Sequence, residues 1–410
     1  MGSYDDLKRL FEETSGIIES PENKRRLEMW PLHFKPSAYE PGLIPPLDPA
    51  LREEKRPPLS ADWDRINWSR LLGFDIERYF KEPRYYLKWT LKINLFRFRN
   101  FPDDTPLTYT IPIFLSVAME PSLFGVPVLY STEHEPLFTS EGAVVREWKD
   151  LSKIDVPDFY RSGLMPLAHR FYEELREIAP GEWRVEFPVW LRGPFGVACG
   201  MRSMQKLLID LIENPSMVHE LMDLIVESRK DYTNRRRRVM GEDDIEHGCA
   251  DNSMANDEVC VPIVSPRLCE EFILPYEKTL EEFHGGIHWW HSCGNKTPLV
   301  KAIQRTFNSV DFMDFALWSD DLFTAVRNLN DGIPFHVRPH AGDILERNED
   351  IVRNTLAGIY TICRGRNFAL RVDGLQPPEP TRDHVTAMQR YLSVARRLGE
   401  EYCEYWAANL

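Results

Sequence analysis

The segment GIHWWHSCGNKTPL (residues 286–299) contains the pattern on which the fold prediction depends. It opens with a short apolar run, which is typical of a buried β-strand. His291 and Cys293 follow at the end of that run, and Thr297 with Pro298 then marks the start of a helix. The segment therefore predicts one strand followed by one helix, with two side chains of metal-binding type at the end of the strand.

The same layout repeats through the second half of the chain, where short apolar runs alternate with longer amphipathic segments. This alternation predicts parallel βαβ units, in a barrel or in a doubly wound sheet. No GxGxxG or Walker pattern opens a predicted helix, which disfavours a nucleotide-binding sheet. The apolar runs are TYTIPIFLSV (108–117), VPVLYS (126–131), WRVEFPVWLRG (183–193), IEHGCADN (245–252), SVDFMDF (309–315), IPFHVRPHAG (333–342) and NFALRVDGL (367–375). The helical patterns are 203–213, 215–240, 266–284, 297–307, 320–329, 348–359 and 381–406.

Polar residues stand at the carboxyl end of five successive runs, and this favours the barrel. In a (β/α)8 barrel the active site gathers at that face from the ends of several strands. We therefore predict an α/β fold, a (β/α)8 TIM barrel over residues 101–410. Residues 1–100, rich in Pro and charge in their first part, are expected to form an N-terminal extension that wraps the barrel. The strand-end residues are Asp251 and Asn252, His291 and Cys293, Asp314, Arg338 and His340, and Arg371 and Asp373.

His291 and Cys293 are the first candidates for chemistry. Residues two apart in a strand share a face, so both side chains point the same way. An imidazole and a thiolate can both bind a tetrahedral zinc, and the thiolate favours zinc over magnesium or calcium. The pair therefore predicts a zinc site at the end of this strand.

The segment HSCGNKTPL (291–299) resembles the uroporphyrinogen decarboxylase-like superfamily, and is nearest to its zinc-dependent corrinoid-protein methyltransferases. The resemblance covers residues 180–410, and it implies a barrel that binds zinc and acts with a corrinoid (cobalamin) held on a separate protein. Four other segments carry the resemblance: GPFGVACGMRSMQKLLIDLIENPSMVHELMDLI (193–225), SPRLCEEFILPYEKTL (265–280), PHAGDIL (339–345) and FALRVDGLQPPEPTRDHVTAMQRY (368–391).

The third metal ligand departs from that family's pattern. The methyltransferases place a Cys at the end of the last strand, where this chain has Asp373. A carboxylate can replace a thiolate on zinc, so the resemblance implies His291, Cys293 and Asp373. Cys363 is an alternative ligand, although a buried thiol in the helix before the strand is its simpler interpretation. A site without metal is the remaining alternative.

Further residues are assigned to catalysis and to substrate binding. Asp251, His340 and Arg338 are the catalytic candidates, because a carboxylate, an imidazole and a guanidinium can each act at a strand end. Alternatives for them are helix capping, a structural histidine and an ion pair within the barrel. Candidates for binding the substrate are Arg192, Asn252, Trp289 and Arg371.

Composition excludes several classes of protein. The net charge of -14 argues against a nucleic-acid partner. The seven cysteines are odd in number and no export signal is seen, which disfavours a disulfide framework. No apolar stretch approaches the ~20 residues of a membrane span. We expect a cytoplasmic enzyme with a small-molecule substrate, compatible with a homodimer.

The resemblance implies transfer of a methyl group from a small methylated substrate, a methoxylated aromatic being one candidate, to a corrinoid carrier protein. The alternative is a decarboxylase or other lyase that acts on a small carboxylic acid in the same barrel, with strand-end arginines holding carboxylates. True uroporphyrinogen decarboxylases carry an Arg-Gln-Ala-Gly-Arg motif, which this chain lacks. A non-catalytic corrinoid-handling module is the third possibility. The chain has no Asp-x-His-x-x-Gly motif, so any corrinoid must sit on another chain.

Overall fold

The fold is described by a computed structural model, which covers residues 2–31, 44–242, 249–373 and 380–408. Eight strands lie in it, and every ladder between them is parallel. They are β1 (Leu59–Ala61), β2 (Thr110–Pro112), β3 (Arg184–Glu186), β4 (Ser253–Ala255), β5 (Ile287–His291), β6 (Val310–Ala316), β7 (Phe335–Arg338) and β8 (Phe368–Val372).

Seventeen α-helices occur in the described part of the chain, and most of them separate successive strands. They are α1 (Gly2–Ile18), α2 (Pro21–Leu27), α3 (Arg65–Leu72), α4 (Ile76–Lys81), α5 (Pro83–Asn100), α6 (Met119–Leu123), α7 (Met165–Ile178), α8 (Pro194–Arg202), α9 (Met204–Glu213), α10 (Pro215–Met240), α11 (Pro266–Phe272), α12 (Leu274–His284), α13 (Val300–Thr306), α14 (Leu322–Asn328), α15 (Ala341–Leu345), α16 (Glu349–Ile362) and α17 (Arg382–Ala408). None of these helices is both long enough and apolar enough to cross a bilayer.

The strands follow one another in the order of a (β/α)8 barrel, which confirms the predicted fold class. Six strands form a sheet in the order β1-β8-β7-β6-β5-β4, and β2 pairs with β3. A parallel bridge between Arg192 and Ala255 joins the segment after β3 to β4. Between β1 and β2 the described residues form no ladder. Because all strands point the same way, their carboxyl ends meet at one face of the barrel.

The two faces of β5 show why this segment folds as it does. Trp289 and His291 point into the barrel, where their rings stack with centroids 4.6 Å apart. Trp290 points the other way, and its indole donates to Glu277 of α12. Both tryptophans are buried. The strand is therefore covered on both faces, as a parallel strand between a barrel core and a helix layer must be.

The first hundred residues take part in the sheet itself. Leu59 to Ala61 form β1, which pairs with β8, so the predicted boundary at residue 100 does not coincide with an edge of the sheet. Two buried ion pairs join the preceding residues to the segment after α5: Arg26 with Asp103 at 2.8 Å and Arg56 with Asp104 at 2.7 Å. The sequence fails to reveal β1 because Leu59 to Ala61 follow two prolines and belong to no apolar run.

Candidate metal centre at the carboxyl end of the barrel

Three donor side chains converge at the carboxyl ends of β4 and β5. His291 ends β5, Cys293 follows it by two residues, and Asp257 follows β4 by two residues. The Nε2 atom of His291 lies 3.2 Å from the Cys293 Sγ and 3.3 Å from the Asp257 Oδ1. One ligand atom from each of the three lies within 4.8 Å of the other two. The site thus stands at the barrel face where active sites of this fold are built.

These three groups fit a zinc ion. Imidazole, thiolate and carboxylate are all zinc ligands, with bonds of about 2.0–2.3 Å. On a tetrahedron with such bonds, neighbouring ligand atoms stand about 3.3–3.8 Å apart. The two distances from His291 are at the short end of that range. Three protein ligands leave a fourth position open, which is the arrangement of catalytic rather than structural zinc sites.

The imidazole of His291 is held from behind by a buried carboxylate. Its Nδ1 lies 2.9 Å from both carboxylate oxygens of Asp314, at the end of β6. Burial opposes the imidazolium, but Asp314, Cys293 and Asp257 together outweigh burial and raise the pKa of His291 well above its usual value. Because Nδ1 donates to this carboxylate, Nε2 is left to face Cys293 and Asp257, as in metal sites where a carboxylate orients a histidine ligand.

The loop that carries Cys293 is fixed by a second group of contacts. Its carbonyl oxygen accepts hydrogen bonds from Trp318 Nε1 and from the Ser319 hydroxyl, each at 3.2 Å. Lys296 is fully buried, and its Nζ lies 2.7 Å from Asp320. A buried ion pair needs good geometry to form, so this pair ties the loop firmly to the segment after β6. The thiol itself remains exposed.

Glu277 connects the segment that carries Asp257 with the strand that carries His291, on the side facing the helices. This buried carboxylate accepts one hydrogen bond from Asn256 Nδ2 at 2.7 Å and another from Trp290 Nε1 at 2.9 Å. Asn256 precedes Asp257 and Trp290 precedes His291, so Glu277 fixes both segments from the helix side. Burial, only partly offset by these two bonds, raises the pKa of Glu277 to about 7.

Asp373 does not join the three donors. Its carboxylate lies 3.0 Å from Arg338 Nε and 2.7 Å from Arg371 Nε, between two guanidinium groups. Arg338 also contacts Asp314 at 3.3 Å. Asp373, Arg338 and Arg371 are together called the arginine cluster below. The predicted third ligand is therefore engaged in ion pairs, and Asp257 is the carboxylate that lies with His291 and Cys293 instead.

Cys363 also lies away from the three donors. It is fully buried at the end of α16, before β8 begins, and burial raises the pKa of its thiol far above the usual range. Such a thiol resists the ionisation that a metal ligand needs. Cys363 is therefore a core residue, which was the simpler interpretation of its position.

A cavity of about 350 Å³ opens next to the three donors. Its wall includes Asp257, the aromatic residues Trp63 and Phe114, and the ionisable residues Asp64 and Glu135. These residues come from the carboxyl ends of β1, β2 and β4 and from the loop before residue 137. The volume is within the range of small-molecule sites, and Asp257 is the donor that lies in its wall.

The structure does not place Asp251 and Asn252 at the carboxyl end of a strand, because β4 begins later than predicted. β4 starts at Ser253, so both residues precede it and lie at the amino end of the barrel. Asp251 pairs with Arg236 at 3.1 Å, and the Asn252 side chain joins Arg229 to the carbonyl of Gly286. Half of the predicted run 245–252, residues 245–248, lies outside the described residues.

The other predicted residues fall into two groups, of which the first surrounds the site. Arg192 is buried and pairs with Glu258, and its Nη1 lies 3.7 Å from Asp257. Trp289 is buried under the site, where it stacks on His291 and donates to Asp314 at 3.2 Å. Each of the two therefore positions a residue of the site. Neither is part of the wall of the 350 Å³ cavity.

His340 belongs to the second group, since it lies outside the site. It is exposed, and its Nδ1 accepts the backbone N–H of Gly342 at the start of α15. This is the contact of a helix cap rather than of a general acid or base. The structure thus favours the structural interpretation of His340 over the catalytic one.

The chain is similar to a known protein family and to a solved structure. Residues 109–334 match the model of a protein family described as "Uroporphyrinogen decarboxylase (URO-D)". Among solved structures, a methyltransferase from Methanosarcina mazei is similar, with a TM-score of 0.61 and 12% sequence identity. The likeness covers 84% of this chain and 95% of that one. No curated protein matches the sequence.

Proposed function

We propose that this chain, which belongs to the uroporphyrinogen decarboxylase family, is a zinc-dependent methyltransferase that demethylates a small substrate and passes the methyl group to a corrinoid carrier protein. The observation that carries this proposal is the convergence of His291, Cys293 and Asp257 at the side of a substrate-sized cavity. The similarity in fold to a methyltransferase supports it.

In this proposal His291, Cys293 and Asp257 hold the zinc. When bound, the ion supplies Lewis acidity toward the heteroatom that carries the methyl group. Asp314 keeps Nδ1 of His291 protonated, so that Nε2 is presented as the ligand atom. The contacts of Trp318 and Ser319 with the Cys293 carbonyl keep the thiolate in place. The chain's own task is therefore to fix three ligands before the substrate arrives.

The cavity supports a methoxylated aromatic as one candidate substrate. Trp63 and Phe114 form part of its wall, and aromatic faces of this kind bind a planar ring by stacking or edge contacts. Asp257 lies in the same wall, so a methoxy group on such a ring can be brought to the donor atoms. The corrinoid carrier would dock over the carboxyl face of the barrel, where this cavity reaches Asp257.

The same contacts disfavour the lyase alternative. Decarboxylation of a small acid in this barrel would use arginines at the strand ends to bind carboxylates. Arg338 and Arg371 are both paired with Asp373, and Arg192 is paired with Glu258 and lies near Asp257. A buried guanidinium that already has a carboxylate partner has little to gain from a substrate carboxylate. The methyl-transfer proposal needs none of these arginines to bind substrate.

The proposal is tested by metal content and turnover measured on the same samples. The purified protein should contain close to one zinc per chain, and with a panel of methoxylated aromatics it should methylate added reduced corrinoid. His291→Ala and Cys293→Ala should lose both zinc and turnover. His340→Ala, the matched control at an exposed histidine, should keep both. Absence of bound zinc together with full turnover by His291→Ala would refute the proposal.

A further inference from the structure

Asp64 stands at the start of α3 but does not cap that helix. It precedes Arg65, the first residue of the helix, and an aspartate at this position usually accepts a backbone N–H of the first turn. The Asp64 side chain makes no such bond. Glu135, from the segment after α6, takes this role, since its Oε1 accepts the backbone N–H groups of Arg65 at 2.6 Å and of Ile66 at 3.3 Å. The helix therefore does not need the Asp64 carboxyl group as its cap.

The carboxyl-bearing residues Asp64 and Glu135 line the same 350 Å³ cavity as Asp257 of the metal centre. Asp64 follows β1 by three residues, and Asp257 follows β4 by two. A cavity of this volume takes one small molecule. A substrate bound there thus has a candidate zinc ligand and two further carboxyl groups in its wall.

Asp64 keeps its proton up to about neutral pH. Burial is the largest cause, and the charges of Glu135, Asp373 and Asp62 act in the same direction. Arg65 opposes them, but together they raise the pKa of Asp64 to about 7. Glu135 accepts two backbone N–H groups at the start of a helix, which favours its charged form. Of these two neighbouring carboxyl groups, Asp64 is therefore the one that holds a proton.

His134 and Arg65 are the other ionisable side chains near Asp64 in the wall of this cavity. The Nδ1 atom of His134 lies 2.7 Å from the backbone carbonyl oxygen of Glu135. Because that oxygen can only accept, Nδ1 carries the hydrogen, and the neutral ring offers the acceptor Nε2. Arg65 pairs with Asp62 at 3.3 Å, and a guanidinium does not give up its proton. Asp64 is thus better suited than either to donate a proton to a bound molecule.

We propose that Asp64 is the general acid of the reaction and donates its proton to the oxygen atom from which the methyl group departs. This inference rests on the proposed function. The bond between the methyl carbon and the oxygen breaks, and the methyl group passes to the reduced cobalt of the corrinoid, whose two electrons form the new bond. The electron pair of the broken bond stays on the oxygen, which takes the proton of Asp64. The product leaves as a hydroxyl compound, and the Asp64 carboxylate takes up a new proton from water.

The first test compares two methyl ethers whose leaving groups differ in their need for a proton. Anisole releases a strongly basic phenolate, whereas 4-nitroanisole releases a weakly basic one. Asp64→Asn should slow the demethylation of anisole by about 10²–10⁴-fold, but that of 4-nitroanisole by less than about tenfold. Asp331→Asn, the matched control at an exposed aspartate, should act on both ethers like the wild type. Equal losses on the two ethers in Asp64→Asn would overturn the proposal.

The pH dependence of the same reaction distinguishes a proton donor from a residue that only shapes the cavity. Since the acid must be protonated, kcat/KM of the wild type for anisole should fall about tenfold per pH unit above about pH 7. Asp64→Asn should lack this fall. Glu135→Gln removes a neighbouring charge that raises the pKa of Asp64, so it should move the fall to lower pH. A fall that persists unchanged in Asp64→Asn would assign it to another group and overturn the proposal.

A binding measurement tests Asp64 without any turnover. 2,4-Dinitrophenol is a phenolate throughout the range from pH 5 to pH 9, and its oxygen can accept a hydrogen bond from a protonated carboxyl group. Equilibrium dialysis against the wild type should show an affinity that falls about tenfold per pH unit above about pH 7, and Asp64→Asn should lack this part of the profile. No binding, or identical profiles for the two proteins, would overturn the proposal. If the wild type demethylates neither ether, the proposed function fails for such ethers, while this profile still decides whether Asp64 donates a proton in the cavity.

Discussion

The metal centre and the arginine cluster each place an aspartate at the carboxyl end of a strand, yet the two aspartates have opposite surroundings. Asp257 lies near one histidine and one cysteine, and its side chain is 39% exposed. Asp373 is buried between Arg338 and Arg371. The first carboxylate can give an oxygen to a cation from solvent. The second already has two cations, both permanently charged.

The difference shows that the position of a residue in the barrel does not decide its role. Position brings both aspartates to the active face, whereas the neighbouring charges decide which of them can bind a metal. Asp314 belongs to both surroundings, because it contacts His291 and Arg338. Asp314 therefore connects the metal centre, which can still bind a cation, with the arginine cluster, whose charges are already paired.

The largest effect is expected from breaking the arginine cluster. Asp373→Asn leaves two buried guanidiniums with a neutral partner, and loss of one member of a buried ion pair costs about 3–5 kcal/mol of folding free energy. Zinc affinity should stay within about threefold of wild type, because Asp373 is not a ligand. Urea unfolding measures the first effect, and competition with a fluorescent chelator measures the second. Asp383→Asn, at an exposed position of α17, is the control for both. A loss of zinc without a loss of stability would show that Asp373 is a ligand after all.

The reciprocal effect is expected at Asp257. Structural zinc sites with four ligands are worth about 10–16 kcal/mol, or about 2.5–4 kcal/mol per ligand. Asp257→Ala should therefore weaken zinc binding by roughly 10²–10³-fold, while stability of the metal-free protein changes little, because the side chain is partly exposed. The same chelator competition measures the affinity, with Asp331→Ala at an exposed position as the control. Unchanged affinity would mean that another group completes the site.

A smaller effect is expected at Glu277, which fixes the metal centre from the helix side, and it appears as a dependence of folding stability on pH. The pKa of Glu277 is raised from 4.5 to about 7 in the folded protein, so between these values the unfolded chain loses this proton first. Stability should therefore fall as pH rises from about 4.5 to 7, by about 3 kcal/mol in total. Glu277→Gln mimics the protonated form and should remove this part of the slope. Urea unfolding of metal-free protein at pH 5, 6, 7 and 8 measures it. Parallel slopes for the two proteins would show that Glu277 does not titrate in this range.

Much of the fold could be predicted because its strands and helices leave strong patterns. The apolar run at 309–315 covers β6 except for its last residue, the run at 367–375 contains β8, and the long amphipathic stretch 215–240 coincides with α10. β1 and β4 could not be found in this way, because β1 follows two prolines outside any apolar run and β4 begins just after the predicted run 245–252. At β4 the error placed Asp251 and Asn252 at the wrong end of the barrel. Moving the strand by a few residues is enough to replace Asp251 and Asn252 with Asp257, the candidate metal ligand, at the carboxyl end.

The candidate site was predictable only where ligands are neighbours in sequence. His291 and Cys293 share one strand end, so their spacing alone brings them together. Asp257 follows another strand and lies 34 residues earlier in the sequence. Nothing local distinguishes it from the other polar residues of the segment ADNSMANDE (250–258). Asp373 stands where the resemblance predicts a ligand, but its two arginine partners arrive from β7 and from its own strand. The pairing of Asp373 with Arg371, two residues away, is an alternative that the sequence itself offers, whereas Arg338 reaches Asp373 only because β7 pairs with β8.

The smallest effect is expected at Asp314, the residue that the two surroundings share. Asp314→Asn keeps the size of the side chain but removes the charge that keeps His291 Nδ1 protonated. Loss of such an outer partner lowers metal affinity about 10–100-fold, less than the loss of a ligand. Arg338 keeps Asp373 as a partner, so stability should fall less than in Asp373→Asn. Chelator competition and urea unfolding on the same samples measure both. A stability loss as large as that of Asp373→Asn, with zinc affinity unchanged, would assign Asp314 to the arginine cluster alone. A moderate loss of both zinc affinity and stability would instead show that Asp314 acts in both places. The arginine cluster would then influence the zinc affinity of His291 through Asp314.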